Sequence, residues 1–307
     1  MNKLSIATFT NVGFWLHSRS YSPIEADLTG TTAVVTGSTG GIGLEVARQL
    51  SSLGARVVVV GRDPAKLASV RDQLPGEIRT LEADLSLMAE VRKLGEQLIA
   101  SEEVDILINN VGVLLPDYST TEEGLETSFA TNVAGHFLLT NLLAPSMVER
   151  GEGRIVNVSS GGMYSARIRP HRLEQGESAY NGTNAYAQAK RAQVILTEMW
   201  ADRLRGTGVA VNSMHPGWVE TAGVAFSLPT FNKVMKPLLR DVGQGADTIV
   251  WLAASPEASD LTGGFFFDRE RVDTHLSDST RESTSDREWL WDRLADVTES
   301  DLAIESV

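Results

Sequence analysis

Residues 36–43 of this chain read Thr36-Gly37-Ser38-Thr39-Gly40-Gly41-Ile42-Gly43. The β-branched apolar run at 32–36 predicts a buried strand before this turn, and residues 42–53 repeat apolar side chains at helical spacing after it. Glycine permits positive φ and close approach of a ligand, and the free N–H groups of a helix start attract phosphate. The pattern therefore predicts a loop that receives a dinucleotide pyrophosphate. Taken alone, it also fits a loop that needs glycine only for its turn.

Strand and helix signals alternate through the rest of the body. Apolar runs predict further strands at 56–60, 78–81, 105–109, 154–158, 209–214 and 263–267. Helical periodicity falls between them at 64–73, 86–100, 125–150, 184–205 and 242–254. This alternation requires right-handed crossovers, which give a parallel sheet covered on both faces. We therefore predict the α/β class, with a single doubly wound Rossmann-type domain whose parallel seven-stranded sheet is flanked by helices.

A second motif, Tyr186-Ala187-Gln188-Ala189-Lys190, sets a phenol and an ammonium one helical turn apart on one face. Between and after the two motifs lie Asp84-Leu85, Asn109-Asn110-Val111-Gly112, Asn132, Ser159-Ser160 and Pro216-Gly217-Trp218-Val219-Glu220-Thr221. In these landmarks and their order, residues 28–270 resemble the short-chain dehydrogenase/reductases. The 25 residues between Ser160 and Tyr186 are closest in length to the retinol-dehydrogenase-like branch.

The resemblance implies an oxidoreductase that transfers a hydride between a nicotinamide and a carbonyl or alcohol substrate. It assigns catalysis to Asn132, Ser160, Tyr186 and Lys190. An unperturbed phenol is a poor base at neutral pH, so the Lys190 cation is expected to favour the phenolate and to reach the nicotinamide ribose. Strand alternation sends Ser159 to the other face, which favours Ser160 as the substrate-facing hydroxyl. The Asn132 main chain is expected to hold a water of a proton relay.

Two other functions stay open from the sequence. A cofactor-binding regulatory or scaffold protein would keep the glycine turn but has no need of Tyr186. An epimerase or dehydratase of related fold usually carries a larger C-terminal domain than this chain has.

The end of the second predicted strand indicates which cofactor is bound. Gly61 stands where an acid would accept bonds from the adenosine ribose, and Arg62 follows it. An arginine fork suits a 2′-phosphate, so NADP(H) is favoured over a mere surface arginine. By resemblance, the expected cofactor-binding residues are Gly37, Ser38, Thr39, Gly41, Ile42, Gly43, Arg62, Asp84, Leu85, Asn110, Gly112, Tyr186, Lys190, Pro216, Gly217, Val219 and Thr221.

Three segments surround or interrupt this body. Residues 1–27 form an N-terminal arm, which is expected to lie on the body, although contact with a membrane surface is the alternative. Within 28–270, residues 218–240 form an apolar lid that suits a lipophilic substrate unless it merely covers the body. Residues 271–307 form an acidic C-terminal tail, expected to be a solvated end. The alternative is a short docking helix with a stripe of Trp289, Leu290, Leu294 and Val297.

Composition excludes several classes of protein. The net charge of −13 argues against a nucleic-acid surface, and the absence of cysteine excludes disulfides and thiolate metal sites. The five histidines are scattered, so no metal is expected. No apolar run is long enough to span a bilayer, and no basic leader precedes the first one. We expect a cytoplasmic protein with a small-molecule carbonyl or alcohol partner, no nucleic-acid partner and possible homo-oligomers.

Overall fold

The computed structural model describes residues 6–227 and 229–303, with the backbone alone at 6, 222, 224 and 226. Residues 1–5 of the predicted arm, Leu228 of the predicted lid and residues 304–307 of the predicted tail lie outside the described residues.

One sheet organises the chain. Its strands are β1 (Thr32–Thr36), β2 (Arg56–Gly61), β3 (Ile78–Glu82), β4 (Ile106–Asn109), β5 (Gly153–Val158), β6 (Val209–Met214), β7 (Phe265–Phe267) and β8 (Glu270–Arg271). Their order in space is β3-β2-β1-β4-β5-β6-β7-β8, and the reversal between β1 and β4 creates the switch point where such sheets bind ligands. The doubly wound α/β prediction is confirmed.

The strand count is corrected from seven to eight. The seven predicted strands are parallel, and β8 pairs with β7 in the antiparallel direction. Asp268 and Arg269 make the turn between them with φ of 51° and 58°, without the glycine or asparagine that usually marks such a hairpin. This is why the two-residue strand was not predicted.

Helices cover both faces of the sheet. They are α1 (Asn11–Ser18), α2 (Gly41–Ser52), α3 (Pro64–Gln73), α4 (Met88–Ser101), α5 (Thr127–Phe129), α6 (Gly135–Arg150), α7 (Pro170–Leu173), α8 (Gly182–Arg203), α9 (Ala222–Ser227), α10 (Pro229–Met235), α11 (Val242–Ala254) and α12 (Thr284–Thr298). The single helix predicted over 125–150 is interrupted by a π-helical turn, Ala130–Ala134, which carries Asn132. Such turns inside α-helices are frequent at functional sites.

The core lies on the two faces of the sheet. On one face Leu107 and Ile155 contact a layer that includes Phe137 and Trp200, all of them fully or almost fully buried. On the other face the strands pack against α2 and α11. Strands covered on both sides need continuous apolar sequence, as in the run Arg56–Gly61, where only the first residue is exposed.

The C-terminal segment is not a solvated end over 284–298. Helix α12 begins at a capping box in which Ser283 and Asp286 exchange side-chain and backbone hydrogen bonds. Leu290, Trp291 and Leu294 are buried, and the Trp291 ring lies 4.9 Å from that of Phe137 in an edge-on contact. The docking-helix alternative therefore describes this segment, because its apolar stripe outweighs its acidic composition.

The N-terminal arm also lies on the body. Its 3₁₀ turn, Ile6–Phe9, places the Phe9 carbonyl 2.9 Å from the Trp218 amide that donates to it. The Phe9 ring contacts the buried His215 ring at 5.0 Å. On α1, Val12, Trp15 and Leu16 are more than half exposed, so contact with another surface remains open to this arm.

Two further properties concern the described part of the chain. No helix within 6–227 and 229–303 combines the length and the apolarity needed to cross a bilayer. The same residues hold no group of three or more histidine or acidic side chains placed to bind a metal ion. The cytoplasmic location, the homo-oligomer and the lack of a nucleic-acid partner stay predictions.

Candidate active site

The glycine turn between β1 and α2 leaves room for a ligand at the start of the helix. Gly37 and Gly41 have φ of 64° and 57°, the left-handed region that favours glycine. A side chain at Gly43 would come within 2.4 Å of Asn110 Nδ2, so only glycine fits there. Gly40 precedes α2 without a side-chain cap, and a Cβ on it would meet no atom within 4 Å. The first amides of α2 therefore have no side-chain cap and are available to a phosphate.

The neighbouring predicted residues hold this turn in place. The fully buried Ser38 holds the turn from within, because its hydroxyl donates to the Val35 carbonyl at 2.6 Å and its N–H donates to the Val60 carbonyl at 3.3 Å. The Asn110 amide donates to the Thr36 carbonyl at 2.8 Å, which joins the ends of β1 and β4. Across the turn, Gly41 lies close to Thr221, whose Cγ2 would be 3.6 Å from a Cβ at that glycine.

Gly61, Arg62 and Asp84 meet at the ends of β2 and β3. A Cβ on Gly61 would stand 2.6 Å from Thr39 Cγ2, so an acidic side chain would fit there only if Thr39 rotated. The Arg62 guanidinium is 72% exposed and donates to Asp84 Oδ2 at 3.2 Å. Burial works to raise the pKa of the Asp84 carboxyl, but bonds from Ser86 and Arg62 outweigh it and lower that pKa. Leu85 is buried in the core beside them.

Ser160, Tyr186 and Lys190 are brought together at the ends of β5 and the first turns of α8. The Ser160 hydroxyl caps the 3₁₀ turn Gly161–Ser165 and lies beside the Tyr186 ring, since a Cβ on Gly162 would be 3.7 Å from Ser160 Oγ and 4.0 Å from Tyr186 Cε1. Burial raises the pKa of the Tyr186 phenol, and the neighbouring Ser160 hydroxyl partly offsets the rise. Ser159 instead donates to the Lys190 carbonyl at 2.8 Å and is buried, so it faces away from the cleft.

Lys190 is buried, with its ammonium 5.4 Å from the centre of the Tyr186 ring. It donates to the Val158 carbonyl at 2.9 Å and to Gln193 Oε1 at 3.1 Å. Burial lowers the pKa of this ammonium to about 7. A Cβ on Gly112 would lie 3.2 Å from Nζ, so the end of β4 passes directly in front of the ammonium.

Gln193, a residue that the sequence analysis did not single out, connects Asn132 to Lys190 by hydrogen bonds. The Asn132 side chain bonds to both backbone groups of Val113, at 2.9 and 2.8 Å. The main-chain carbonyl of Asn132 accepts from Gln193 Nε2 at 2.7 Å. The structure therefore places the Gln193 side chain between the Asn132 carbonyl and Lys190, and the water expected on the Asn132 main chain stays a prediction. The only sequence signal is the position of Gln193 three residues after Lys190, on the same helix face.

The segment after β6 is held by a second group that sequence reasoning missed. Gly217 has φ of 79°, and a Cβ there would stand 2.5 Å from Arg240 Nε. The fully buried Arg240 makes a two-bond ion pair with Asp268 at 2.5 and 2.9 Å. It also donates to the carbonyls of Thr8 at 2.7 Å and Pro216 at 3.3 Å. The Arg240 guanidinium thus hydrogen-bonds both to the N-terminal arm and to the segment after β6.

The predicted lid contains the short helices α9 and α10, and the stretch from Pro229 to Leu238 contributes no buried residue, whereas Leu239 and Arg240 are buried. None of the residues of α10 is buried, and Val234 is 69% exposed. Phe231 packs within the lid, with its ring 5.2 Å from that of Trp218, and the Ser227 hydroxyl donates to the Leu114 carbonyl of the body at 2.8 Å. Val219, by contrast, is buried and pairs with the backbone of Arg240.

Most of the predicted site residues thus line one edge of the sheet, at the carboxyl ends of its parallel strands. The glycine turn, Arg62 and Asp84 lie toward β2 and β3, and the Ser160 group lies toward β5. Leu85 and Ser38 are buried behind this edge. The arrangement sets the uncapped start of α2 near the middle of this edge and the Ser160 and Tyr186 hydroxyls to one side of it.

Known proteins with similar sequences have the same architecture. A family model described as short chain dehydrogenase matches residues 31–229. Dehydrogenase/reductase SDR family member 12 of Bos taurus is 37% identical over 276 residues, which are 87% of this chain and 86% of the relative. Retinol dehydrogenase 12 of Bos taurus is 37% identical over 274 residues, 86% of each chain.

A solved structure extends the comparison to the fold. The 3-oxoacyl (acyl-carrier-protein) reductase of Agrobacterium tumefaciens C58, with NADP bound, superimposes with a TM-score of 0.65 at 27% identity. The match covers 78% of this chain and 93% of that one. With a family model over most of its body and relatives similar along most of their length, this chain belongs to the short-chain dehydrogenase/reductase family, whose members are nicotinamide-dependent oxidoreductases.

Proposed function

We propose that this protein is an NADP(H)-dependent enzyme that interconverts a lipophilic carbonyl compound and its alcohol. The observation that carries the proposal is that the Ser160 and Tyr186 side chains lie beside each other, with the buried Lys190 ammonium 5.4 Å from the Tyr186 ring. Two hydroxyls that converge on one point can bind a single substrate oxygen. A binding module would not need this pair or a lysine buried behind it.

Tyr186, Ser160 and Lys190 have different roles in proton transfer. The bound nicotinamide supplies or accepts the hydride. Tyr186 holds its proton in the free protein because burial raises the pKa of the phenol, and this suits donation to a carbonyl oxygen during reduction. Ser160 orients that oxygen by a hydrogen bond. In the oxidation direction the charge of Lys190 would favour the phenolate, and the N–H group of Lys190 that neither Val158 nor Gln193 accepts would be available to the nicotinamide ribose.

The preference for NADP(H) is supported by the end of β2. Thr39 fills the space beside Gly61 in which an acid would accept from the ribose hydroxyls. The exposed Arg62 fork is available for a 2′-phosphate, since its ion pair with Asp84 is solvent-exposed and weak. The similar bacterial reductase with NADP bound is consistent with this choice.

The lipophilic substrate is supported by the lid. Apolar side chains such as Val234 and Leu238 lie exposed there, and α10 contributes none to the core. Residues that serve only the stability of the body would be buried. An apolar cover that closes over a ligand instead excludes water from the reacting atoms. The relatives named retinol dehydrogenase add weight to an apolar substrate.

The proposal is tested by NADPH oxidation against aldehydes and ketones of increasing chain length. We expect turnover that improves with apolar chain length. The Ser160→Ala variant should bind NADPH normally and turn over more slowly by roughly 10²-fold, as expected for a lost oxyanion-type contact. If the protein binds NADPH but reduces none of these compounds and oxidises none of their alcohols, the result favours a regulatory or scaffold function over an enzymatic one.

A further inference from the structure

Gln193 connects three groups around the candidate active site. It lies on α8, one turn after Lys190, and only 2% of it is exposed. Its carbonyl oxygen accepts from Lys190 Nζ at 3.1 Å. Its amide nitrogen donates to the Asn132 carbonyl at 2.7 Å and lies 3.0 Å from His136 Nδ1.

The orientation of the Gln193 amide is fixed by these neighbours. A flipped amide would set its oxygen against the Asn132 carbonyl, which can only accept, and its NH₂ against the Lys190 ammonium, which can only donate. In the observed orientation both N–H groups have acceptors when His136 is neutral with Nδ1 unprotonated. His136 is neutral at ordinary pH because burial, followed by the Lys190 charge, lowers its pKa to about 3. The Gln193 oxygen must therefore point at the ammonium.

We propose that Gln193 is a positioning residue that ties the Lys190 ammonium to the π-helical turn carrying Asn132. Val158 and Gln193 accept two of the three ammonium hydrogens, and they fix the direction of the third. The position facing Gly112 and Tyr186 is the one left for the nicotinamide ribose. A side-chain amide thus connects the Lys190 ammonium directly to the Asn132 main chain.

The same contact stabilises the charged form of Lys190. The titratable groups that face this ammonium within the described residues are the Tyr186 phenol and the neutral His136, and neither is an anion in the free protein. Two carbonyl oxygens are therefore the counterparts of a buried charge. Loss of one charge-assisted acceptor is expected to lower the pKa of Lys190 by about one unit or more.

The proposal rests on the function proposed above, but it is tested on the free protein. The probe is the side-chain nitrogen and Cε resonance of Lys190, assigned by its loss in Lys190→Arg and followed by NMR against pH. Gln193→Met keeps the shape and removes the acceptor, and Gln193→Glu replaces it with an anion. We expect the pKa of Lys190 to fall in the first variant and to rise in the second.

Gln188→Met is the matched control. Gln188 is on the same helix, is 1% exposed and bonds to the backbone of Arg167 and Arg169, away from Lys190. It should cost similar stability and leave the pKa of Lys190 unchanged. NADPH titration of the wild type and of Gln193→Met accompanies the NMR, with a loss of affinity expected in the variant.

The outcomes separate the two proposals. Opposite shifts in the two Gln193 variants support the positioning role even if the wild type binds no NADPH, in which case the proposed function fails alone. An unchanged pKa in both Gln193 variants, or an equal shift in Gln188→Met, overturns the role. If Gln193→Met does not fold, Gln193→Glu decides by itself, because a purely structural role gives no upward shift.

Discussion

Arg62 is the residue on which the choice of cofactor depends most directly. We expect Arg62→Ala to weaken NADPH binding and to leave NADH binding nearly unchanged. The two cofactors differ only in the 2′-phosphate, and the exposed guanidinium at the end of β2 is the group proposed to bind it. Position 61 holds a glycine, so no carboxylate there favours NADH by accepting from its ribose hydroxyls.

The expected loss of NADPH affinity follows from two interactions of Arg62, its ion pair in the free protein and its bond to the 2′-phosphate in the complex. In the free protein it has an exposed ion pair with Asp84 at 3.2 Å, and such pairs contribute at most about 1 kcal/mol. A charge-assisted bond to phosphate is worth about 1.5–3 kcal/mol. Since about 1.4 kcal/mol corresponds to a tenfold change in affinity, NADPH should bind roughly ten- to a hundredfold more weakly to the variant.

The assay is fluorescence titration of NADPH and NADH into wild type and variant at fixed ionic strength. Arg71→Ala is the control for a lost surface charge, because Arg71 is 58% exposed, lies on α3 and pairs only weakly with Asp72 at 3.7 Å. It should alter neither affinity by more than about twofold. Equal affinity of the wild type for both cofactors would refute the reasoning, and so would a parallel loss of both in Arg62→Ala.

Three further outcomes are expected. Burial lowers the pKa of Lys190 from 10.5 to about 7, so the unfolded chain binds an extra proton between these values and stability rises with pH there. Lys190→Met should therefore melt at a higher temperature than the wild type at pH 6, with the difference shrinking toward pH 10. His136 and His215 have pKa values lowered from 6.5 to about 3, chiefly by burial. Urea titrations should show a free energy of unfolding that falls by about 1.4 kcal/mol per pH unit for each histidine between pH 6 and 3, and a flat profile would contradict their burial as neutral rings. Phe231→Ala should raise KM for lipophilic substrates with little change in Tm, whereas a stability loss of about 3–5 kcal/mol would show that the ring is core packing on Trp218.

The parts of the fold that the sequence predicted are those that depend on local patterns of residues. Strand β2 is a run of valines buried on both faces, and the start of α2 is marked by glycines whose φ values no other residue adopts easily. Helix α12 was harder to predict because its composition is acidic. Its burial depends on three side chains, Leu290, Trp291 and Leu294, that meet the body only in three dimensions.

The candidate site likewise contains residues that local motifs reveal and residues that only the folded chain brings together. Tyr186, Lys190 and the glycine turn stand in spaced motifs, so sequence alone can nominate them. Arg240 and Asp268 are 28 residues apart and form their ion pair only because β7 ends beside the segment after β6. Gln193 is one polar residue on a long helix, and its role depends on a π-helical turn that helical periodicity does not reveal.

The central claim is that Tyr186 donates the proton while NADPH reduces a carbonyl group. The direct measurement is single-turnover hydride transfer, followed by NADPH absorbance, in wild type and Tyr186→Phe with a lipophilic aldehyde or ketone that the wild type reduces. The variant keeps the ring and loses only the hydroxyl, so we predict a rate lower by roughly 10²–10⁴-fold with an unchanged Kd for NADPH. A Tyr186→Phe protein that transfers hydride at the wild-type rate would contradict the account.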